Sequence, residues 1–407
     1  MLINNASKKV STLAIAALIS GFVSAQQVHV VDDQPGPGVN FTSLQAAHDA
    51  AAPGDILLVK SGTYQGLTVS KGITVTADKG ALVNVSAAFF GIGVVVSNIP
   101  SGQSVVLREI HIKNEDLSLF SSQAFTILNC NGSVLLDHCS ATGLATQSAL
   151  NLLNSNHVAV SWCSFLGGSG LNASPIGISS DGAAAASVKA SRLAAYDTTF
   201  QGGKGGNGLD LKPASSGGNG LEVTTTGASQ LFASGCTFIG GAPGTGIGSP
   251  ISGVGLFSQI AAFSATAYAS TFSGSQGTQL AGPFTNIAGP TRSMEVTSPV
   301  REGALVTATV QCGPADLVYL FYAENADLMN LVGVLGPLQL ELATMNTLPP
   351  PMPIACSGSA LVRFDAPQLS ASTLGRTFYA QPVFRSTTDG ILLIGTAASV
   401  TILDSSL

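Results

Sequence analysis

The chain has 407 residues and a formal charge of −6, with 9% charged residues, 6% aromatic residues and 47 glycines. So little charge leaves no material for long salt-bridged helices, and so much glycine calls for many tight turns. Asp and Glu (22) outnumber Lys and Arg (16), and no basic cluster occurs beyond the N-terminus, which excludes nucleic acid as a partner.

Residues 1–25 read as a secretory signal peptide: Lys8 and Lys9 start it, Val10 to Val23 is apolar, and Val23-Ser24-Ala25 has the small-x-small form of a cleavage site. Its removal leaves 14 basic against 22 acidic residues, a net charge of −8. No lipid-anchor cysteine follows, and no later apolar run is long enough to span a bilayer. The expected location is secreted, periplasmic or cell-surface.

Val28 to Val31 predicts a strand, and Asp32 to Gly38 a turn in which Asp32 and Asp33 serve the turn itself. Thr42-Ser-Leu-Gln45 has the capping-box pattern and starts the one convincing helix, Leu44 to Ala51, which Pro53-Gly54-Asp55 stops. Leu44, Ala47 and Ala51 share a face that can cover the end of a sheet. Short strands and turns follow: Ile56 to Val59, Ser61 to Tyr64, Leu67 to Val69 and Ile73 to Ala77.

A short phrase then returns five times: Leu136 to Gly143, Val160 to Gly167, Tyr196 to Gly202, Ala233 to Gly240 and Ala267 to Gly274. Its aligned positions 141, 165, 200, 238 and 272 are 24, 35, 38 and 34 residues apart, one supersecondary unit per repeat. Stacked coils would place Phe165, Phe200, Phe238 and Phe272 in an interior column and glycine at the corners. Gly168 to Gly182, Gly202 to Gly220 and Gly240 to Gly255 read as protruding loops on the longer coils. Cys139, Cys163 and Cys236 occupy one column and are expected as stacked buried thiols, with a Cys139–Cys163 bridge the alternative, since one coil would separate their Cα atoms by about 4.8 Å. Cys312 and Cys356 are the better disulfide candidate, and Cys130 is left unassigned.

The stretch Phe41 to Tyr64, with its helix, Gly54-Asp55, buried first strand and Gly62-Thr-Tyr64, resembles the N-terminal entry of right-handed parallel β-helix proteins of the pectate-lyase-like superfamily. The coil phrases are similar to that family's repeats, and together they cover roughly Val28 to Ile287. The family's asparagine ladder is weak here. The resemblance implies an all-β fold, a right-handed parallel β-helix of about eight coils over residues 26–289. A composition shift at Gly289-Pro290 opens residues 290–407, where strands at Ala304 to Gln311, Leu317 to Ala323, Leu338 to Leu342, Ala360 to Phe364, Phe378 to Phe384 and Val400 to Leu403 suggest a small β-sandwich. A Pro-rich turn is expected at Leu348 to Pro353. Gly375 to Gln381 looks like a segment of modules appended to exported proteins of planctomycete-type bacteria.

Polygalacturonase-like members of the superfamily need paired carboxylates with Gly-His-Gly and Arg-x-Lys segments, which this sequence lacks. Pectate-lyase-like members need acidic oxygens converging on Ca²⁺ and an Arg or Lys base. The catalytic candidates for that chemistry are Asp137, Asp181, Asp197, Asp210, Arg192 and Lys212. Asp137 and Asp197 both precede the repeated phrase and are expected to point outward on one face, as solvated carboxylates about 10 Å apart. Asp210 and Lys212 read as a salt-bridged loop edge. His138 and His157 fall at different phases of the coil, against a shared metal. The expectation is an exported, non-catalytic, structural or glycan-contacting protein, with the Gly-rich loops and the outer strand face as contact surface. A polysaccharide or envelope component would be its partner, and no cofactor is called for. The alternative is a divergent polysaccharide lyase, or glycoside hydrolase, acting on acidic polysaccharide; Ca²⁺ belongs to the lyase version only.

Overall fold

The computed structural model describes residues 26–86, 93–113, 124–224, 227–275, 277–348, 353–388 and 390–407. The expected signal peptide and most of the Pro-rich turn lie outside them. The chain forms a right-handed parallel β-helix built from three parallel sheets. Sheet 1 has ten strands, from Val28–Val31 to Phe284–Ile287; sheet 2, from Gly62–Gln65 to Thr271–Ser273, and sheet 3, from Leu67–Val69 to Thr278–Leu280, have eight each, so eight three-stranded coils are described.

Parallel stacking puts like residues in columns, and the repeated phrase aligns as its spacing predicts: Ala141, Phe165, Phe200, Phe238 and Phe272 are successive register partners. The last four rings stack at 5.5, 5.1 and 5.0 Å, with the first three fully buried and Phe272 half-buried at the open end. Cys139, Cys163 and Cys236 are buried free thiols, as is Cys130. Burial pushes the Cys163 and Cys236 thiols up, which keeps them protonated and inert.

Two corners repeat in left-handed backbone. One column is Glu109, His138, Trp162, Asp197, Gly235 and Ala269, with φ from 45° to 67°. The other begins Asn98, Asn129, Asn154 and Ala190, at φ from 47° to 55°, and the Asn154 amide donates to Asn129 Oδ1 at 3.1 Å. Asparagine tolerates this region better than most residues. An asparagine pair of the ladder type therefore exists at Asn129 and Asn154, with Asn98 at the same corner of an earlier coil.

The helix spans Leu44–Ala50, but its N-cap is Ser43 rather than Thr42. Gln45 consequently does not close a capping box. Its Oε1 accepts from the Thr68 backbone at 2.8 Å and fastens the helix to the strand Leu67–Val69. Asp32 accepts from the Gln34 N–H at 3.0 Å within the turn, whereas Asp33 accepts from the Thr63 N–H at 2.9 Å and ties the turn to the strand Gly62–Gln65.

From Ser293 onward the strands are largely antiparallel, in a three-stranded sheet and a larger sheet around the long strand Gly375–Ser386. Both contribute to one core, and Cys312 and Cys356 are disulfide-bonded with Cα atoms 6.2 Å apart. This C-terminal module lies back on sheet 1: Ala323, Leu338, Leu340, Tyr379 and Ile394 pack on Val106, Leu135, Ala159, Ala194 and Tyr196. The outer strand face expected to be open is therefore closed on this side. A strand apolar on both faces, such as Ser133–Asp137 with Val134-Leu135-Leu136, is the pattern of a sheet covered on both sides.

Candidate functional site

Asp137 ends the strand Ser133–Asp137 and points outward beneath the module, where it is 1% exposed. Its register neighbours are Arg108 one coil before and Ser161 one coil after. Arg108 pairs with its carboxylate, Ser161 Oγ donates at 3.0 Å, and His138 Nδ1 lies at 2.8 Å. Burial pushes the carboxyl up, but Arg108, His138 and Ser161 together hold it below the usual carboxylate range. Arg108 also donates to the Val296 carbonyl at 3.1 Å, and His138 Nε2 stands 3.3 Å from Glu295 Oε1. The expected solvated carboxylate is thus a sealed clasp between solenoid and module. His157 is a separate contact, 3.2 Å from Asp327 of the module.

Asp197 does not share Asp137's position. Tyr196 is the residue in register with Ser161 and so with Asp137, while Asp197 occupies the left-handed corner beside Trp162 and Gly235. The reason is visible in the phrase: Asp137 stands four residues before Ala141, and Asp197 three before Phe200. Burial pushes the Asp197 carboxyl up to about 7. The folded state therefore holds a proton that the unfolded chain releases near pH 4, and this contribution to stability declines as pH rises from about 4 to 7. Asp197→Asn keeps a side chain suited to the corner and should raise stability at pH 8 by about 1–3 kcal/mol while leaving pH 4 unchanged, as read from denaturant midpoints.

The glycine-rich segments are not irregular loops. They form a two-layered lamina of outgoing and returning legs from three consecutive coils. Gly202, Gly205 and Gly208 donate to Ile239, Ala242 and Thr245 of the next outgoing leg at 2.8, 2.9 and 2.8 Å. Ala214, Gly217 and Gly220 do the same between returning legs, to Ile247, Ile251 and Val254. Gly203 and Gly206 cross the layers to Ala183 and Ser180. A repeat of three is that of the left-handed threefold helix, not of a strand, whose period is two.

Polar side chains complete the lamina. Asp181 Oδ1 accepts from the Ser216 N–H at 2.8 Å, Asn172 Oδ1 from Asn207 at 2.8 Å and Asn207 Oδ1 from Thr245 at 2.9 Å. Lys212 Nζ donates to the carbonyls of Ser174, Pro175 and Gly177 at 2.5, 2.8 and 3.1 Å. It closes the tip of the neighbouring coil instead of pairing with Asp210. Asp210 sits exposed in a left-handed turn whose flanks, Leu209 and Lys212, exchange backbone hydrogen bonds. Ile176, Ile178, Leu211 and Ile251 stand exposed at the lamina's rim.

Beside the lamina, the outer face of sheet 3 carries a column that the sequence reading missed. Thr126, Asn151, Ser187, Glu222, Phe257 and Gln279 are successive register partners. Burial pushes Glu222 up, against a hydrogen bond from Asn219 at 3.3 Å and the charge of Lys189. The alternation Leu221-Glu222-Val223, apolar residues inward, was the available signal.

The six candidates therefore divide between two sides of the solenoid. Asp137, Arg192 and Asp197 belong to sheet 1, with Arg192 opening the strand Arg192–Tyr196 that Asp197 follows. Asp181, Asp210 and Lys212 belong to the lamina between sheets 2 and 3. Among the described residues, no three His, Cys, Asp or Glu side chains are grouped to hold a metal ion, and no helix is long and apolar enough to cross a membrane.

No protein-family model matches the chain, and no curated protein sequence does. Among solved structures, the chain is similar to pectate lyase Pel9A at 12% identity and a TM-score of 0.35, over 66% of this chain and 78% of that one. It is similar to Escherichia coli YbhC at 14% identity and a TM-score of 0.39, over 65% and 86%. Likeness at this level concerns the fold alone, and the fold stands on the three parallel registers themselves.

Proposed function

We propose that the protein is an exported, non-catalytic β-helix protein that contacts glycan through the outer face of sheet 3 and the adjoining rim of the lamina. The observation that carries this reading is the column on sheet 3 in which Asn151 and Glu222 are part-exposed and Gln279 is exposed. It offers two amides and a carboxylate along the solenoid axis, on strands that stack about 4.8 Å per coil. Repeated polar groups with Phe257 among them suit a repeating, hydroxyl-rich chain. The leader at residues 1–25 supports export. The commitment of Asp137, Asp181 and Lys212 to framework bonds supports binding rather than turnover.

The paired change Asn151→Ala and Glu222→Ala removes two of these contacts and should weaken binding to a responsive polysaccharide about tenfold or more, measured by affinity electrophoresis across neutral and acidic polymers. Unchanged mobility would remove sheet 3 from the reading. Build-up of unsaturated uronide absorbance with Ca²⁺, abolished by Asp197→Ala, would replace it with a polysaccharide lyase.

A further inference from the structure

On the opposite side of the solenoid, sheet 1 and the C-terminal module enclose a groove of about 270 Å³. Its floor comes from three successive strands, Arg192–Tyr196, Ser229–Ser234 and Phe263–Tyr268. Leu193, Leu231 and Ala265 point into the solenoid, so their neighbours point out. Arg192, Gln230 and Ser264 form one outward row, and Ala194, Phe232 and Thr266 the next. The module supplies the wall, with Asn330 at the end of the strand Ala326–Asn330 and the turn leading to Pro337. Gly336, at φ 86°, lets this turn close on the Phe232 ring, since a Cβ there would come within 3.0 Å of Phe232 Cζ.

The lining is chemically selective. Arg192 is the only ionisable residue in it, and it makes no ion pair among the described residues, in a chain with net negative charge. The side chains of Gln230, Ser264, Thr266 and Asn330 likewise make no hydrogen bond among the described residues. One guanidinium fork, two amides and two hydroxyls, uncommitted, thus line the groove together with the Phe232 ring, Arg192 and Asn330 being exposed to solvent. We propose that this groove binds a small polyhydroxylated carboxylic acid, a sugar acid. The carboxylate would meet the Arg192 fork, the hydroxyls would meet the amides and hydroxyls, and a C–H face would rest on Phe232.

The single cation sets the charge of the ligand, because a phosphate or sulfate site gathers several donors of fixed positive character, such as a second basic residue or a helix N-terminus. The volume sets its size. About 270 Å³ lies just below the range of drug-sized pockets and accommodates one sugar unit rather than a stretch of polymer. The groove is separate from the sheet 3 surface, and neither reading depends on the other.

The test uses the full chain and four probes: D-gluconate as a free acid, D-glucuronate as the acid found within glycans, D-glucose as the neutral control and inorganic phosphate. Binding is followed by titration calorimetry and by protection of Arg192 from an arginine-directed dicarbonyl reagent, located by mass spectrometry. At least one sugar acid should bind and protect Arg192, glucose should do neither, and Arg192→Gln should weaken the acid about tenfold or more with an unchanged melting temperature. Preference for gluconate would assign a free acid, and preference for glucuronate a glycan unit. Equal binding of glucose, equal or tighter binding of phosphate, or acid binding that survives Arg192→Gln would each overturn the proposal. Polysaccharide binding unchanged in the Asn151 and Glu222 variant, with gluconate or glucuronate still bound at Arg192, would remove only the sheet 3 reading. Polymer binding without any sugar acid in the groove would remove only this one.

Discussion

Replacing Gly218 by alanine should destabilise the protein by about 3 kcal/mol or more and open the lamina as a unit. Gly218 lies in the middle returning leg, where an added Cβ would overlap the Ala183 carbonyl oxygen and stand 2.7 Å from that of Gly182. Both atoms are backbone, held by the lamina's own hydrogen bonds, so neither can rotate away as a side chain would. Relief requires the legs to separate, and separation breaks the Gly218 to Gly203 and Gly241 to Gly218 bonds together. Hydrogen exchange is the direct readout: amides of residues 202–208 and 214–220 should lose protection, while those of the strand Val158–Ser161 keep theirs. Gly36→Ala, whose nearest neighbour would be 3.9 Å away, is the control and should stay within about 0.5 kcal/mol. Full protection in Gly218→Ala would show that the legs are not bonded as described.

The second large effect is expected at the clasp. Asp137→Ala leaves the buried Arg108 guanidinium with only the longer ion pair to Glu109, 3.8 Å away, which costs about 3 kcal/mol. Replacing both by Leu and Met should recover most of that loss, because the penalty lies in the unpaired charge rather than in the missing bond. The chain's single tryptophan reports on the same place: Trp162 stacks against His138 at 6.1 Å and donates to the Met294 carbonyl at 3.4 Å. Loosening of the module should therefore shift Trp162 emission before the solenoid unfolds. The pH dependence has two sides. Asp137 is held below its unfolded value, so its contribution is present above about pH 4 and is lost as pH falls through the folded value. His138 is pulled down by burial but raised further by Asp137, so its contribution is present below about pH 6.5 and is lost as pH rises through the folded value. A Trp162 signal flat from pH 2 to 9 would overturn this account of the clasp.

How much was legible can be followed through particular residues. The interior of the solenoid was readable because one rule governs it: a coil packs on its neighbour through like positions, so Phe165, Phe200, Phe238 and Phe272 announce their column by recurrence alone. The Cys312–Cys356 bond was readable by a similar economy, as the only two cysteines of their segment. The corners were less so. Asp137 and Asp197 look alike beside the phrase, yet one residue of offset sends the first outward to Arg108 and the second into a left-handed turn.

By itself, then, the sequence determined the β-helix, the helix covering its end, the stacked rings and thiols, and the strand-rich segment that follows. These depend on periodicity and burial, which are local or repeat at short range. Only the tertiary structure decided what the polar residues do. Arg108 meets a carbonyl 188 residues away, Lys212 closes a turn 35 to 38 residues earlier, and Asp181 caps an amide 35 residues on. A carboxylate or ammonium acquires its role from the distant backbone or charge placed against it, and from whether water is excluded there. Asp137, Asp181 and Lys212 were thereby drawn into the framework, while Glu222, bonded only by Asn219, and Arg192, without an ion pair among the described residues, stand on two different faces.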